Sequence, residues 1–242
     1  MNISRRGLFK VCLSAMALAR SGQVWSGNGS SPNHYNRVRL VDTSAQPVRA
    51  GSLEVGENYI FHYPYISTPC FLINLGEHAS SRELQSENGK RYRWQGGVGP
   101  EGSVVAFSAI CAHKMAHPTR SVSFINYRHE TVTYRDRNRH SDKQSHVIYC
   151  CSEKSVYDAK DGARVLGGPA KQPLASILLE YDEPLDELYA TGVDGGEMFT
   201  KFFSDFAFRL QLEYRTPEVD RRVASSSVVM SLEEYCINRI LC

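Results

Sequence analysis

Two short stretches of this chain concentrate side chains that bind soft metals. The first is Cys111-Ala112-His113, and the second is Cys150-Cys151-Ser152-Glu153-Lys154. Thiolates and imidazoles in close spacing suit iron, iron–sulfur clusters or zinc. A tetrahedral zinc site or a two-iron cluster needs four ligands, and neither loop supplies four alone. The candidate ligands are Cys111, His113, Cys150, Cys151 and Glu153. No nucleophile with a neighbouring base stands out elsewhere, so no catalytic residue is assigned and hydrolytic chemistry has no support.

Such loops must be held at the ends of rigid elements, and the sequence provides them. Val104-Val105-Ala106-Phe107-Ser108-Ala109-Ile110 reads as a buried strand that runs straight into Cys111. Val147-Ile148-Tyr149 does the same for Cys150. Short runs rich in β-branched and aromatic residues recur from Arg37 onward. They lie at 38–41, twice between 58 and 75 around Pro64 and Pro69, at 122–127 with 130–134 as a hairpin, and at 177–181 with 187–191 as another. This pattern predicts an antiparallel all-β domain. Residues 76–102 are polar and glycine-rich and read as a loop with one helical turn near Ser81–Leu84. After Gly195 the spacing of Met198, Phe199, Phe202, Phe203 and Phe206 turns helical. Ser231 before Leu232-Glu233-Glu234 reads as the N-cap of a short C-terminal helix.

The two loops together resemble the Rieske family of [2Fe–2S] proteins. That family pairs a Cys-x-His loop with a Cys-x-x-His-Gly-Ser-x-Tyr-Asp loop, and Ser155-Val156-Tyr157-Asp158 matches the end of the second. Gly167-Gly168-Pro169-Ala170-Lys171-Gln172-Pro173-Leu174 resembles the family's Gly-Pro loop, so Gly168 and Pro169 are expected to cover the cluster. The likeness spans about residues 104–193. It implies an antiparallel β-sandwich with a small cluster-binding subdomain and a short helical tail. One iron of such a cluster takes two thiolates and the other two imidazoles. This chain departs at the second imidazole. Aligned without gaps, Cys150 is the thiolate and Glu153 stands where histidine is expected. A shift of one residue makes Cys151 the thiolate with Lys154 beside it, and His117 or His146 could serve from elsewhere. The disulfide that often joins the two family loops has no counterpart, because Ala116 and Ser152 occupy its positions. The resemblance also implies that the Ser155 and Tyr157 hydroxyls donate to cluster sulfur. Zinc is the rival metal, although it leaves Ser155, Tyr157 and the Gly-Pro loop without a role.

Ser4-Arg5-Arg6-Gly7-Leu8-Phe9-Lys10, followed by an apolar run to Ala19, resembles a twin-arginine export signal. That route carries folded proteins with their cofactors inserted and implies a periplasmic destination. An uncut signal would serve as a membrane anchor. The expected organisation is a signal over 1–19, a flexible linker over 20–36, a Rieske-like domain over 37–197 and an aromatic, helical extension over 198–242. Within the domain the cluster loops are 111–117, 150–158 and 167–174. A formal net charge of +2 over 242 residues implies no nucleic-acid partner. The short cluster Arg135, Arg137, Arg139 and His140 reads as a solvated hairpin tip. The implied function is electron transfer as the small subunit of an exported oxidoreductase, with a redox protein or larger catalytic subunit as partner. A Rieske-like module that has lost its cluster and serves only assembly is the second reading. An oxygenase would need a further iron domain, which the residues after 193 do not provide.

Overall fold

A computed structural model describes residues 31–242 of the chain. The arginine-pair motif, its apolar run and Cys12 lie outside those residues. In chain order the elements are β1 (Asn33–Val41), β2 (Tyr59–His62), β3 (Pro69–Asn74), β4 (Arg82–Gln85), β5 (Arg91–Trp94), β6 (Val104–Ser108), β7 (Val122–Ser123), β8 (Ile125–Arg128), β9 (Val132–Arg135) and β10 (Ser141–Gln144). There follow β11 (Val147–Cys150), β12 (Ser155–Asp158), β13 (Arg164–Gly167), β14 (Ser176–Asp182), β15 (Glu187–Asp194), α1 (Met198–Tyr214), β16 (Ser226–Val228), β17 (Met230–Ser231), α2 (Leu232–Tyr235) and β18 (Asn238–Arg239). The chain is mostly β, as the strand-like runs predict. No described helix is long and apolar enough to cross a membrane.

The large sheet has eight strands in the order β16-β1-β15-β14-β6-β3-β2-β17. Its two edge strands are neighbours in sequence, separated only by Val229. Buried Val229 donates its N–H to Val41. The sheet therefore rolls toward closure through one continuous segment, which leaves little unpaired edge. All its pairings are antiparallel except β1 with β16. A second sheet has four antiparallel strands in the order β13-β12-β11-β8.

Period-two alternation explains how the layers stack. Along β3 and β6, Cys70, Leu72, Val104 and Ala106 face one cluster, which also holds Leu188, Phe199, Phe202 and Leu210. The intervening Phe71, Ile73, Val105 and Phe107 face a second cluster with Ile125, Ile148 and Tyr157 of the four-stranded sheet. Cys111 and Cys150 belong to this second layer, between the sheets. The far face of the small sheet carries Val147, Tyr149 and Val156, which pack on Val132 and Tyr134 of β9.

Four boundaries differ from the sequence reading. The linker expected to Asn36 already becomes strand at Asn33. The loop expected over 76–102 contains the hairpin β4–β5, whose alternation buries Leu84, Tyr92 and Trp94. The β8 segment does not pair with β9; it pairs with β11, and β9 pairs with the polar β10. Residues 198–242, expected as an aromatic, helical extension, also contribute strands. Besides α1, they supply both edges of the large sheet and β18, which runs parallel to β7. The N-cap at Ser231 forms with a full capping box, but the helix stops at Tyr235.

Candidate metal centre

Strand β6 and the hairpin β11–β12 bring the two loops together. After β6 the chain folds over itself: Met115 N–H donates to the Cys111 carbonyl and Cys111 N–H to the Ala116 carbonyl, each at 2.9 Å. Across the small sheet, Cys150 pairs directly with Ser155, so residues 151–154 form a tight hairpin loop. Lys154 takes a positive φ of 59° to close it. Both cysteines are buried and unbridged, in the same layer between the sheets.

The surroundings of these sulfurs are rich in donors. Tyr157, fully buried, accepts the Ala112 N–H at 3.1 Å through its hydroxyl oxygen. Its single proton is then free for the Cys111 sulfur, 3.2 Å away. Burial, and then the charge of Cys111, hold the Tyr157 phenol well above its ordinary range, so it remains a donor at neutral pH. The Cys111 thiol is pulled down to about 6, chiefly by the Cys150 S–H, against the opposing effect of burial. Tyr157 and the His113 backbone N–H add to this. Cys150 is pushed up, first by its bond to Cys111 and then by burial. The pair thus holds one thiolate and one thiol. The Cys150 sulfur also faces the backbone N–H groups of Glu153 and Ser152.

His113 and Glu153 make a second pair. Their Nδ1 and Oε2 atoms lie 3.8 Å apart, and each side chain is 28% exposed. Glu153 Oε1 also approaches Lys114 Nζ at 3.5 Å. His113 Nδ1 and Ser155 Oγ are buried with no hydrogen-bond partner among the described residues. Among those residues, no three His, Cys, Asp or Glu side chains gather as a single-ion site. The candidate side chains come as two buried cysteines and an imidazole–carboxylate pair. The donor set fits a [2Fe–2S] cluster: two buried sulfurs, backbone and hydroxyl donors around them, and an unpartnered imidazole nitrogen. Cys111, Cys150 and His113 would hold it, with Glu153 in the fourth position.

Cys151 is not available as a ligand, because it forms a disulfide with Cys242. This also corrects the register that used Cys151 with Lys154, whose side chain lines a pocket beside β9 and β10. His117 is buried under α1, its Nδ1 2.8 Å from the Met115 carbonyl and its ring edge-on to Phe202 and Phe206. His146 sits at the other end of β11 from Cys150, beside His129 and Glu77. The 167–174 segment packs on the 150–158 loop. Gly168 has φ +80°, and a Cβ there would strike the Lys154 carbonyl and the Ser155 backbone.

Three participants were not foreseen from sequence: the Ala112 N–H, Lys114 and Cys242. Only Cys242 left a signal, as one of the seven cysteines that lies outside the two loops.

Comparison with known proteins adds a relative and a structural likeness. No protein-family model matches the chain. It is 29% identical over 190 residues to the iodate reductase subunit IdrB of Denitromonas iodatirespirans, a match covering 77% of this chain and 84% of the relative. Among solved structures it is similar to the soluble domain of the Rieske protein II (soxF) of Sulfolobus acidocaldarius. That likeness has a TM-score of 0.43 and 24% identity, covering 66% of this chain and 78% of the other.

Proposed function

We propose that this chain is an electron-transfer subunit that holds an atypical [2Fe–2S] cluster and serves a larger exported oxidoreductase. The observation that carries the reading is the meeting of Cys111 and Cys150 from two strand ends, inside a ring of donors. Bound there, a cluster supplies reversible one-electron chemistry. The protein's own groups do the rest. Tyr157 and Ser155 offer hydroxyls to sulfur, which favours the more negative reduced state and raises the potential. Burial between the two sheets keeps water from the thiols. Glu153 in place of an imidazole adds negative charge and lowers the potential. His113, partly exposed, is the side chain through which an electron would leave.

The relative's name, a subunit of iodate reductase, supports a larger catalytic partner for this chain. The Cys151–Cys242 disulfide is consistent with an oxidising compartment, and the Ser4–Lys10 motif with twin-arginine export to the periplasm. The signal, if retained, would anchor the protein to the membrane.

The test is anaerobic purification from cells competent in cluster assembly. The reading predicts red-brown protein with equal iron and sulfide and a rhombic paramagnetic spectrum on reduction. Colourless, iron-free protein would overturn it in favour of a non-redox assembly module, with Glu153 retained by Lys114 and His113 in an ion-paired site.

A further inference from the structure

The segment between the two candidate metal loops carries a hairpin whose basic tip the candidate centre does not use. The hairpin tip with Arg135, Arg137, Arg139 and His140 is exposed, as the sequence reading expects, but the base of the hairpin is tied down. Gln144 donates to buried Asp158 at 2.8 Å, and Asp136 bridges to Gly167 of the covering loop. Gly167 lies so close to the Arg135 carbonyl that a Cβ would not fit. The hairpin is thereby pinned to both β12 and the loop over the metal centre.

Between hairpin and metal loop lies a half-open pocket of about 580 Å³. Arg135, Arg137 and Arg139 line one side, and Lys154, one residue beyond Glu153, lines the other. Asp136 is the only carboxylate in the lining. Its Oδ1 is occupied by the backbone N–H groups of Asn138 and His140, each at 2.8 Å. None of the four cations makes an ion pair among the described residues. Arg135 Nη1 bonds only the Arg139 carbonyl, at 3.1 Å. Tyr134 and Tyr149 give the pocket aromatic surface as well.

We propose that this pocket docks an acidic segment of a protein partner. Cations on two facing elements are bridged better by successive carboxylates on a chain than by one small anion. Electrostatic complementarity of this kind mainly speeds and orients encounter. Lys154 and Gly168 belong to the loops around the candidate centre, so a segment held here places its protein beside those loops. The use of that placement rests on the electron-transfer reading; the docking does not.

The experiment measures binding of a hexaglutamate peptide to the purified full chain by titration calorimetry, with citrate and inorganic phosphate alongside. The proposal expects peptide binding that weakens steeply between about 0.02 M and about 0.5 M salt. Arg137→Glu/Arg139→Glu, both exposed, should weaken it by about tenfold or more. Arg91→Glu/Arg93→Glu makes the same change in net charge on β5 and should leave binding within about twofold. Equal binding by both double variants, or no peptide binding at low salt, would overturn the proposal. Citrate or phosphate binding as tightly as the peptide would also overturn it, in favour of a small-anion site. Iron content is read on the same samples. Peptide binding by iron-free protein supports the docking surface while counting against the electron-transfer reading.

Discussion

The two halves of the candidate centre are built to different standards. The sulfur half is buried, comes from two strand ends, and is ringed by Tyr157, Ser155 and backbone N–H groups. The imidazole half is partly exposed, and its carboxylate is shared between His113 and Lys114 at 3.8 and 3.5 Å. The difference shows where the fold fixes geometry in advance. Loss of a sulfur should be fatal to the centre, whereas the fourth position tolerates exchange, and this chain's departure from the Rieske pattern falls on the tolerant half.

The sharpest way to break that comparison is Cys111→Ser. It should remove nearly all bound iron and lower the melting temperature of the loaded protein, because metal binding adds to folding free energy. Retention of iron would move the centre elsewhere. Next in size is Cys242→Ser, which frees the loop behind Cys150. The disulfide closes a sequence separation of 91 residues, so its loss should cost about 2–4 kcal/mol in chemical denaturation. Dithiothreitol should destabilise the wild type by a similar amount and leave the variant unchanged. Tyr157→Phe should cost about 1–3 kcal/mol, since the part-buried Ala112 N–H loses its acceptor. It should also lower the reduction potential of the loaded protein; an unchanged potential would deny the bond to Cys111 sulfur.

The sulfur half also sets a pH dependence in metal-free protein. Cys111 falls from an ordinary value of 9 to about 6 in the fold, while Cys150 rises. Between about 6 and 9 the folded state therefore binds fewer protons than the unfolded chain, and stability should rise with pH. Above about 9 the unfolded chain ionises both thiols and the folded pair only one, so stability should fall again. Denaturation midpoints across this range check the sign, and Cys111→Ser should flatten the rise. The smallest effect belongs to the soft half. Glu153→Gln should change stability by less than about 1 kcal/mol, since it removes only partly exposed pairs. Glu153→His should leave the iron in place and raise the potential.

What could be read from the sequence follows from range. Strand β6 feeding Cys111 and β11 feeding Cys150 are local patterns of consecutive apolar residues, and their spacing was visible at once. The hairpin β4–β5 left a fainter trace: Leu84, Tyr92 and Trp94 alternate with charged neighbours in a polar, glycine-rich stretch. Strand β10, Ser141–Gln144, has no hydrophobic signal at all, because it packs only through β9 and the Gln144–Asp158 bond. The C-terminal segment is opaque in sequence for the same reason on a larger scale. Its pairing with β1 and β2, its parallel β18 and its disulfide to Cys151 all join residues far apart in the chain. Aromatic spacing revealed α1 but carried no information on those partners.

Mössbauer spectroscopy of isotope-enriched, reduced protein tests the central claim most directly. Two inequivalent irons should be seen, one in all-sulfur coordination that persists in Glu153→His and one whose parameters shift in that variant. A single iron environment, or iron-free protein with Cys111 and Cys150 both reduced, would contradict the account.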